Sequence, residues 1–408
     1  MANPSGVLTV AAVKRPAETS AWGTAATSPT NIIPLINESM TTGLILDHEE
    51  AVEASAARQD ADIVGEDNAG SITTDVWYEG LEYMLNAAFG FECPTVYSGG
   101  DFGAGTGGSP APDTIVSPDA YHHVLELDNA LQREVWLAGE RDASSGGSTD
   151  PEYWTAADQK VRAFDLYIDK KVPTGGVHGF INCMVRSTTL KCSLESVTME
   201  WDLVGYQHLT DTYNRSSWAL PSSRVRAIFP HLSVGLSAAG ASAPTAVAVQ
   251  DITLKLENQL ESTRSSGSNS KYIIEPVRSG VRKVSGTIKL ARYNDDTFPD
   301  ALKNETDMQL NLTLSGNTLI SGSAWYPNIR FFAPLVRITK ADFPVSGAGV
   351  ITGDLEFEAF VAATPTWITT AAGGVSLIKA QELYCMYRNT RGWCWSRDRQ
   401  DAGLGALP

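Results

Sequence analysis

The sequence is poor in the residues that build metal and redox sites. Of 408 residues, five are cysteine and six are histidine. No CxxC pair or Cys–His spacing supplies the four close ligands that a zinc site needs, and five cysteines in a chain this long do not make a disulfide scaffold. Cys183 and Cys192 are spaced to face each other across a hairpin with Met184 to Lys191 as its turn. Cys385 and Cys394 bracket an aromatic, Arg-rich segment in a similar way. Reduced thiols packed as small hydrophobes are the simpler reading of all of them. Long apolar runs are missing too. No stretch is long enough to cross a bilayer as a helix. The start Met1–Leu8 has no basic region followed by an apolar core, so the expectation is a soluble chain made in the cytosol, without a signal peptide.

Catalytic signatures are equally scarce. There is no Walker A run, GxSxG elbow, HExxH or EF-hand loop. Gly103-Ala104-Gly105-Thr106-Gly107-Gly108 matches GxGxxG in letters only, because Ser109-Pro110-Ala111-Pro112 follows where a helix would have to receive the pyrophosphate. His122-His123 is the one histidine cluster, and adjacent residues of a strand point to opposite faces, so the two rings do not share a ligand easily. No cofactor and no catalytic residue is implied.

Positive charge is also in short supply: 31 Lys and Arg stand against 47 Asp and Glu, a formal net charge of −16. Such a balance argues against gripping nucleic-acid phosphates, and leaves room for a surface that repels them. The hydrophobic fraction of 43% is ordinary for a folded protein, and the length suits two or three domains.

What the chain has in abundance is strand signal. Alternating or β-branched runs include 163–168, 179–185, 196–204, 251–256, 309–314 and 353–361, separated by Gly, Pro, Asn and Ser turns. Helical patterning is confined to about 78–89 and 298–303. The expected class is mainly β, with about one helix in each half. The boundaries read as a first domain over 1–232, with an insertion around 98–112. A Ser/Ala/Gly-rich linker over 233–247 follows, then a second domain over 248–371 and a C-terminal extension over 372–408. The extension interleaves Tyr384, Tyr387, Trp393 and Trp395 with Arg388, Arg391, Arg397 and Arg399. It reads equally as an anchor on a neighbouring subunit or as a tail packed on its own domain.

Two passages repeat. Gly70 opens a strand-like run leading to the helix near 79–88, and Gly286 opens another leading to the helix near 298–303. Met199-Glu200-Trp201-Asp202-Leu203-Val204 is echoed by Leu355-Glu356-Phe357-Glu358-Ala359-Phe360, which matches Glu200 with Glu356 and Asp202 with Glu358. Such duplication suits rings, tubes and shells better than catalysis. A long arm precedes each Gly-opened strand. The first carries Asp47, Glu49, Glu50, Glu53, Asp60 and Asp62; the second carries Arg264, Lys271 and Arg278. Loops of this length are commonly functional, and contact with another subunit is the simplest use. Period-2 alternation puts Glu200, Asp202, Glu356 and Glu358 on polar sheet faces. These faces are either the solvated outside of a sandwich or the lining of a channel that keeps DNA sliding.

These features together resemble a bacteriophage tail tube protein. The residues that carry the resemblance are Ala21-Trp22-Gly23-Thr24-Ala25, Ile32-Ile33-Pro34-Leu35 and the Gly70-to-Ala88 unit, with Ile252 to Glu261, Gly280 to Gly286 and Pro344 to Phe360 in the second half. The resemblance implies two tandem β-sandwich or partial-barrel domains, each with a flanking helix, related to the type VI secretion inner tube, with long inter-ring arms. It also implies a ring of three chains with pseudo-sixfold symmetry, or alternatively six chains, stacked into a virion tail tube assembled in the host cytoplasm. DNA would pass through the lumen without sequence-specific binding, and the tape measure, tail terminator and baseplate or tip would be partners. No membrane is implied. Two other classes remain at this stage: a receptor-binding, adhesin-like β protein, and a carbohydrate-active β-sandwich with Trp77, Trp136, Trp154 or Trp218 as sugar platforms.

Overall fold

The computed structural model describes residues 9–14, 22–23, 31–48, 61–93, 115–117, 120–127, 163–171, 176–211, 218–221, 224–241, 245–264, 271–293, 296–320, 326–344, 351–362 and 381–389. The chain begins with β1 (Val10–Lys14), β2 (Asn31–Ile33), β3 (Leu35–Glu38), β4 (Thr41–His48) and β5 (Ala61–Asp75), then helix α1 (Glu82–Phe89). Next come β6 (Gly90–Cys93), β7 (Ile115–Ser117), β8 (Ala120–Leu127), β9 (Phe164–Asp169), β10 (Val177–Ser193), β11 (Val197–Gly205) and β12 (Gln207–Asp211). After these lie β13 (Leu232–Ala238), β14 (Ala246–Val247), β15 (Val249–Glu257), β16 (Leu260–Glu261), β17 (Val277–Arg278) and β18 (Lys283–Leu290). Helix α2 (Thr297–Lys303), β19 (Met308–Ser315), β20 (Asn328–Asp342), β21 (Gly353–Ala359) and β22 (Tyr384–Asn389) complete the set. The mainly-β expectation holds, and both expected helices are present.

One antiparallel sheet organises the molecule, in the order β4–β5–β11–β10–β15–β18–β21–β20. β3 continues the line of β4 along β5. Two long strands leave this sheet at bulges. β10 pairs with β9 and β12 through its first half and with β11 and β15 through its second, the change falling between Cys183 and Met184 with a bulge following at Arg186. β20 pairs with β19 and β22 through its first half and with β21 through its second, with a bulge at Thr339. A bulge adds a residue and bends its strand, which lets one strand serve two layers. The layers fold back around the core as a barrel would. Even so, no ladder among the described residues joins β3 or β4 to β20, and both edges stay open.

Alternation drives this arrangement. Met199, Trp201 and Leu203 of β11 are buried, and so are Leu355, Phe357 and Ala359 of β21, while the acids between them face outward. Trp201 is fully buried, and its indole Nε1 donates to Thr74 Oγ1 at 3.1 Å. Gly70 and Gly286 sit where strands approach closely. A Cβ at Gly286 would lie 2.5 Å from Phe357 Cζ, and one at Gly70 would lie 2.7 Å from Met40 Cα. Every residue of α1 is buried, which explains a helix apolar nearly all round.

Several expectations are corrected. Cys183 and Cys192 do not flank a hairpin: both lie on the continuous strand β10, buried and unpaired. Nine residues along a strand separate them by about 30 Å, far beyond disulfide reach. The 233–247 stretch is not a bare linker, because β13 pairs along β19 and β14 closes on β13. The C-terminal extension supplies β22, which lies between β20 and β8. Its Tyr384 and Tyr387 are buried in the chain's own core, so for 384–389 packing on the chain itself is what occurs. Asn389 fastens it, donating through Nδ2 to Glu82 Oε1 at 2.7 Å. Trp393, Trp395, Arg391, Arg397, Arg399, Cys394 and the insertion at 98–112 with its glycine run lie outside the described residues, as do Trp136 and Trp154.

Candidate functional site: the polar face of the central sheet

The four acids singled out in the sequence lie on one face of the central sheet, and each has a cationic neighbour. Lys191 Nζ lies 2.8 Å from Glu200 Oε2, and Arg186 Nη2 lies 3.4 Å from Asp202 Oδ1. Lys340 Nζ lies 3.2 Å from Glu356 Oε1, and Lys283 Nζ lies 3.8 Å from Glu358 Oε1. Lys255 and Glu257 form a further pair at 2.5 Å along β15. Each of these carboxylates is therefore paired, and this face of the sheet is charge-balanced. The chain's acidic excess is not concentrated on this surface, which would neither grip nor strongly repel a polyanion at close range.

Burial adjusts individual groups. Partial burial raises the pKa of Asp202 above the ordinary carboxylate value, and Arg186 beside it pulls the other way. Asp251, opposite Lys289 in the ladder, is also raised by burial while Lys289 lowers it.

The arms behave differently from each other. The second arm lies against the first half of its own chain. Trp22 Nε1 donates to the Ile273 carbonyl at 3.1 Å, Gln207 Nε2 donates to Tyr272 Oη at 2.7 Å, and the Tyr206 and Tyr272 rings meet at a 40° tilt with centroids 4.9 Å apart. Arg264 binds the Glu66 carbonyl at 3.0 Å and pairs with Asp67, and the Lys271 carbonyl accepts from Glu66 N at 2.7 Å. Arg278 Nε donates to the Asn258 carbonyl at 3.2 Å. The first arm is a hairpin of β4 and β5 in which Asp47 faces Asp62. It exposes Leu44, Leu46, Ile63 and Val64. Glu49, Glu50, Glu53 and Asp60 lie outside the described residues. Nothing in the local sequence pattern marks the exposed aliphatic groups of the first arm.

The other candidates disperse. His122 and His123 lie in β8, opposite Arg388 and Tyr387. Trp218 packs against Tyr167, Val177 and Ile181, and Trp77 forms an isolated bridge with Arg226. A different histidine pair, unremarked in the sequence, does form: His178 Nδ1 and His208 Nε2 lie 3.0 Å apart with their rings stacked.

An extended mainly-β sheet with a broad charge-balanced face and open strand edges has the character of a structural protein. The family follows from comparison: the sequence model described as phage tail tube protein matches residues 8–359, and the chain belongs to that family. No curated protein matches it. Membership makes it a structural component of the virion tail, implies assembly into a tube with copies of itself and other tail proteins, and points to a non-enzymatic role. No helix among the described residues is long and apolar enough to cross a membrane.

Proposed function

We propose that each chain supplies two neighbouring segments of a ring, and that three chains close a pseudo-sixfold ring which stacks into a conduit for DNA. Tape-measure, terminator and baseplate or tip proteins would meet the tube at its lumen and ends. The observation that carries this reading is the junction at β10 and β15. There the four-strand set β4–β5–β11–β10 meets the set β15–β18–β21–β20, edge to edge, in the same strand order.

Three landmarks support the equivalence of the halves. Gly70 faces Leu203 as Gly286 faces Phe357. The irregularity between Val185 and Ser187 matches that between Ile338 and Lys340. The irregularity between Leu35 and Asn37 matches that between Val249 and Asp251. All three set Asp202 level with Glu356, and Glu200 level with Asp354. The sequence echo had matched Glu200 with Glu356, two residues away. A slip of two keeps every side chain on its face, so alternation alone does not reveal it.

On this reading the balanced polar face lines the lumen, and DNA slides past without lasting ion pairs. The test is microscopy of assembled protein together with the native mass of one ring. Hollow stacked rings of three chains are expected. Monomers at all salt and protein concentrations would overturn the reading, and rings of six chains would overturn the two-segment assignment.

A further inference from the structure

We infer that the junction inside the chain is the template for the junction between chains, down to its register, and that the exposed first arm clamps that seam. This inference rests on the ring reading and specifies which residues meet. Within the chain, Ser187 faces Glu257, Thr188 faces Leu256 and Thr189 faces Lys255. The bulge landmark carries Ser187, Thr188 and Thr189 onto Lys340, Ala341 and Asp342. The glycine landmark carries Lys255, Leu256 and Glu257 onto Thr41, Thr42 and Gly43, because Lys255 faces Ser285 as Thr41 faces Ala69, each pair one step from its glycine.

The free edge of β20 then pairs antiparallel with the free edge of β3 and β4 from the next copy. Asp342 faces Thr41 of the partner subunit, and Lys340 faces Gly43 of the partner subunit. Among the described residues, both edges lack a ladder neighbour on the side the pairing would use. Unpaired backbone groups along an open edge favour such strand addition.

The arms give an independent reason. Leu260 lies three residues beyond Glu257 and is only 8% exposed, packed with Met184, Val204 and Ile273 in the groove that the second arm covers. Leu46 lies three residues beyond Gly43 and is 45% exposed. The ring receiving the second arm is Tyr206, four residues after Asp202; four residues after Glu356 stands Phe360, 40% exposed, followed by Val361 at 57%. Each half of a clamp that is complete inside the chain is thus present and uncovered at its ends. Apolar area of this kind on both sides favours burial against a second copy. The first arm would therefore act within the ring, on the adjacent chain.

Two measurements on assembled full-length protein test this. The first is oxidation of the double variant Asp342→Cys with Thr41→Cys. It should yield covalent chain multimers ending at a closed ring, whereas Asp342→Cys with Gly43→Cys, one diagonal step away, should yield far less. Thr189→Cys with Lys255→Cys is the calibrating pair and should close within one chain. The second is a photo-crosslinking residue at Leu46, insensitive to disulfide geometry, in tubes mixed from isotopically light and heavy chains. Mixed-isotope crosslinks to the segment around Phe360 and Val361 are expected. Tubes whose Leu46 crosslinks map elsewhere, or whose disulfides prefer the diagonal pair, overturn the inference and leave the tube reading intact. Failure to form any ring overturns the tube reading itself.

Discussion

Lys191 of β10 reaches diagonally across the ladder to Glu200 of β11, at 2.8 Å. With the pairs at Asp202, Glu356 and Glu358, this contact makes the face balanced. Replacing Glu200, Asp202, Glu356 and Glu358 together by Lys removes every one of these attractions and leaves a basic surface. Exposed pairs contribute only about 0.2–1 kcal/mol each, so folding should survive. Tubes of the variant should retain DNA with steep salt dependence and slow its ejection. Unchanged ejection at low salt would remove this face from the DNA path.

Trp201 anchors the interior behind that face. Trp201→Ala should cost about 3–5 kcal/mol in denaturant unfolding. Trp201→Phe should cost about 1–3 kcal/mol, since Thr74 Oγ1 keeps its bond to the Met199 carbonyl and loses only the indole. Equal losses for the two variants would contradict the role given to burial.

Gly286 is held by close approach. Gly286→Ala should destabilise the unassembled chain by about 1–3 kcal/mol, because the Thr253 carbonyl and the Phe357 ring occupy the space a methyl needs. At Gly43 the nearest atom to a built Cβ is 3.9 Å away, and Gly43→Ala should stay within about 0.5 kcal/mol. Thermal unfolding of both variants checks the contrast.

His208, stacked on His178, makes stability depend on pH. Burial lowers the pKa of His208 first, and His178 and Lys170 lower it further, while Glu66 opposes. A depressed histidine contributes stability that is present above its unfolded value near 6.5 and is lost as pH falls through the folded value. His208→Gln should therefore be least harmful, relative to the natural chain, at acidic pH. Unfolding series at pH 7.5 and pH 5.0 measure that difference, and a constant difference would refute the assignment.

The buried thiols should be silent. Burial raises Cys192 to about 12 and pushes Cys183 and Cys385 higher still. Alkylation of the folded protein at pH 8 should spare all three by peptide mapping, and denaturant should expose them. Reductant should leave stability unchanged with respect to Cys183 and Cys192.

Much of this molecule was legible in order. The helices near 78–89 and 298–303 and the strands around 196–204 and 353–361 form where periodicity and turn residues put them, but Gly70 and Gly286 lie inside β5 and β18 rather than opening them, because each glycine serves a close approach within its strand. Three features were not legible. The second half of β10 reads as a hairpin turn over Met184 to Lys191, because the bulge at Arg186 interrupts the alternation that a continuous strand would show. β13 hides in a Ser/Ala/Gly composition that resembles a linker, and gains its place from β19. β22 follows a stretch without pattern, and its position between β20 and β8 depends on residues far away in the chain.

The candidate site divides in the same way. Glu200, Asp202, Glu356 and Glu358 were assigned to polar faces correctly, because strand alternation is local. Their partners Lys191, Arg186, Lys340 and Lys283 come from other strands, and no local pattern announces them.

By itself the sequence determined a mainly-β chain with buried apolar alternation and acids on the opposite face, all consequences of backbone geometry acting over a few residues. Only the tertiary structure decided the ladder register, in which Asp202 faces Ser71 and Glu356 faces Thr287, the neutralisation of the acidic face, and the contrast between an arm that is covered and one left bare. Those depend on contacts between residues distant in the chain, where a two-residue slip preserves every local preference and changes every neighbour.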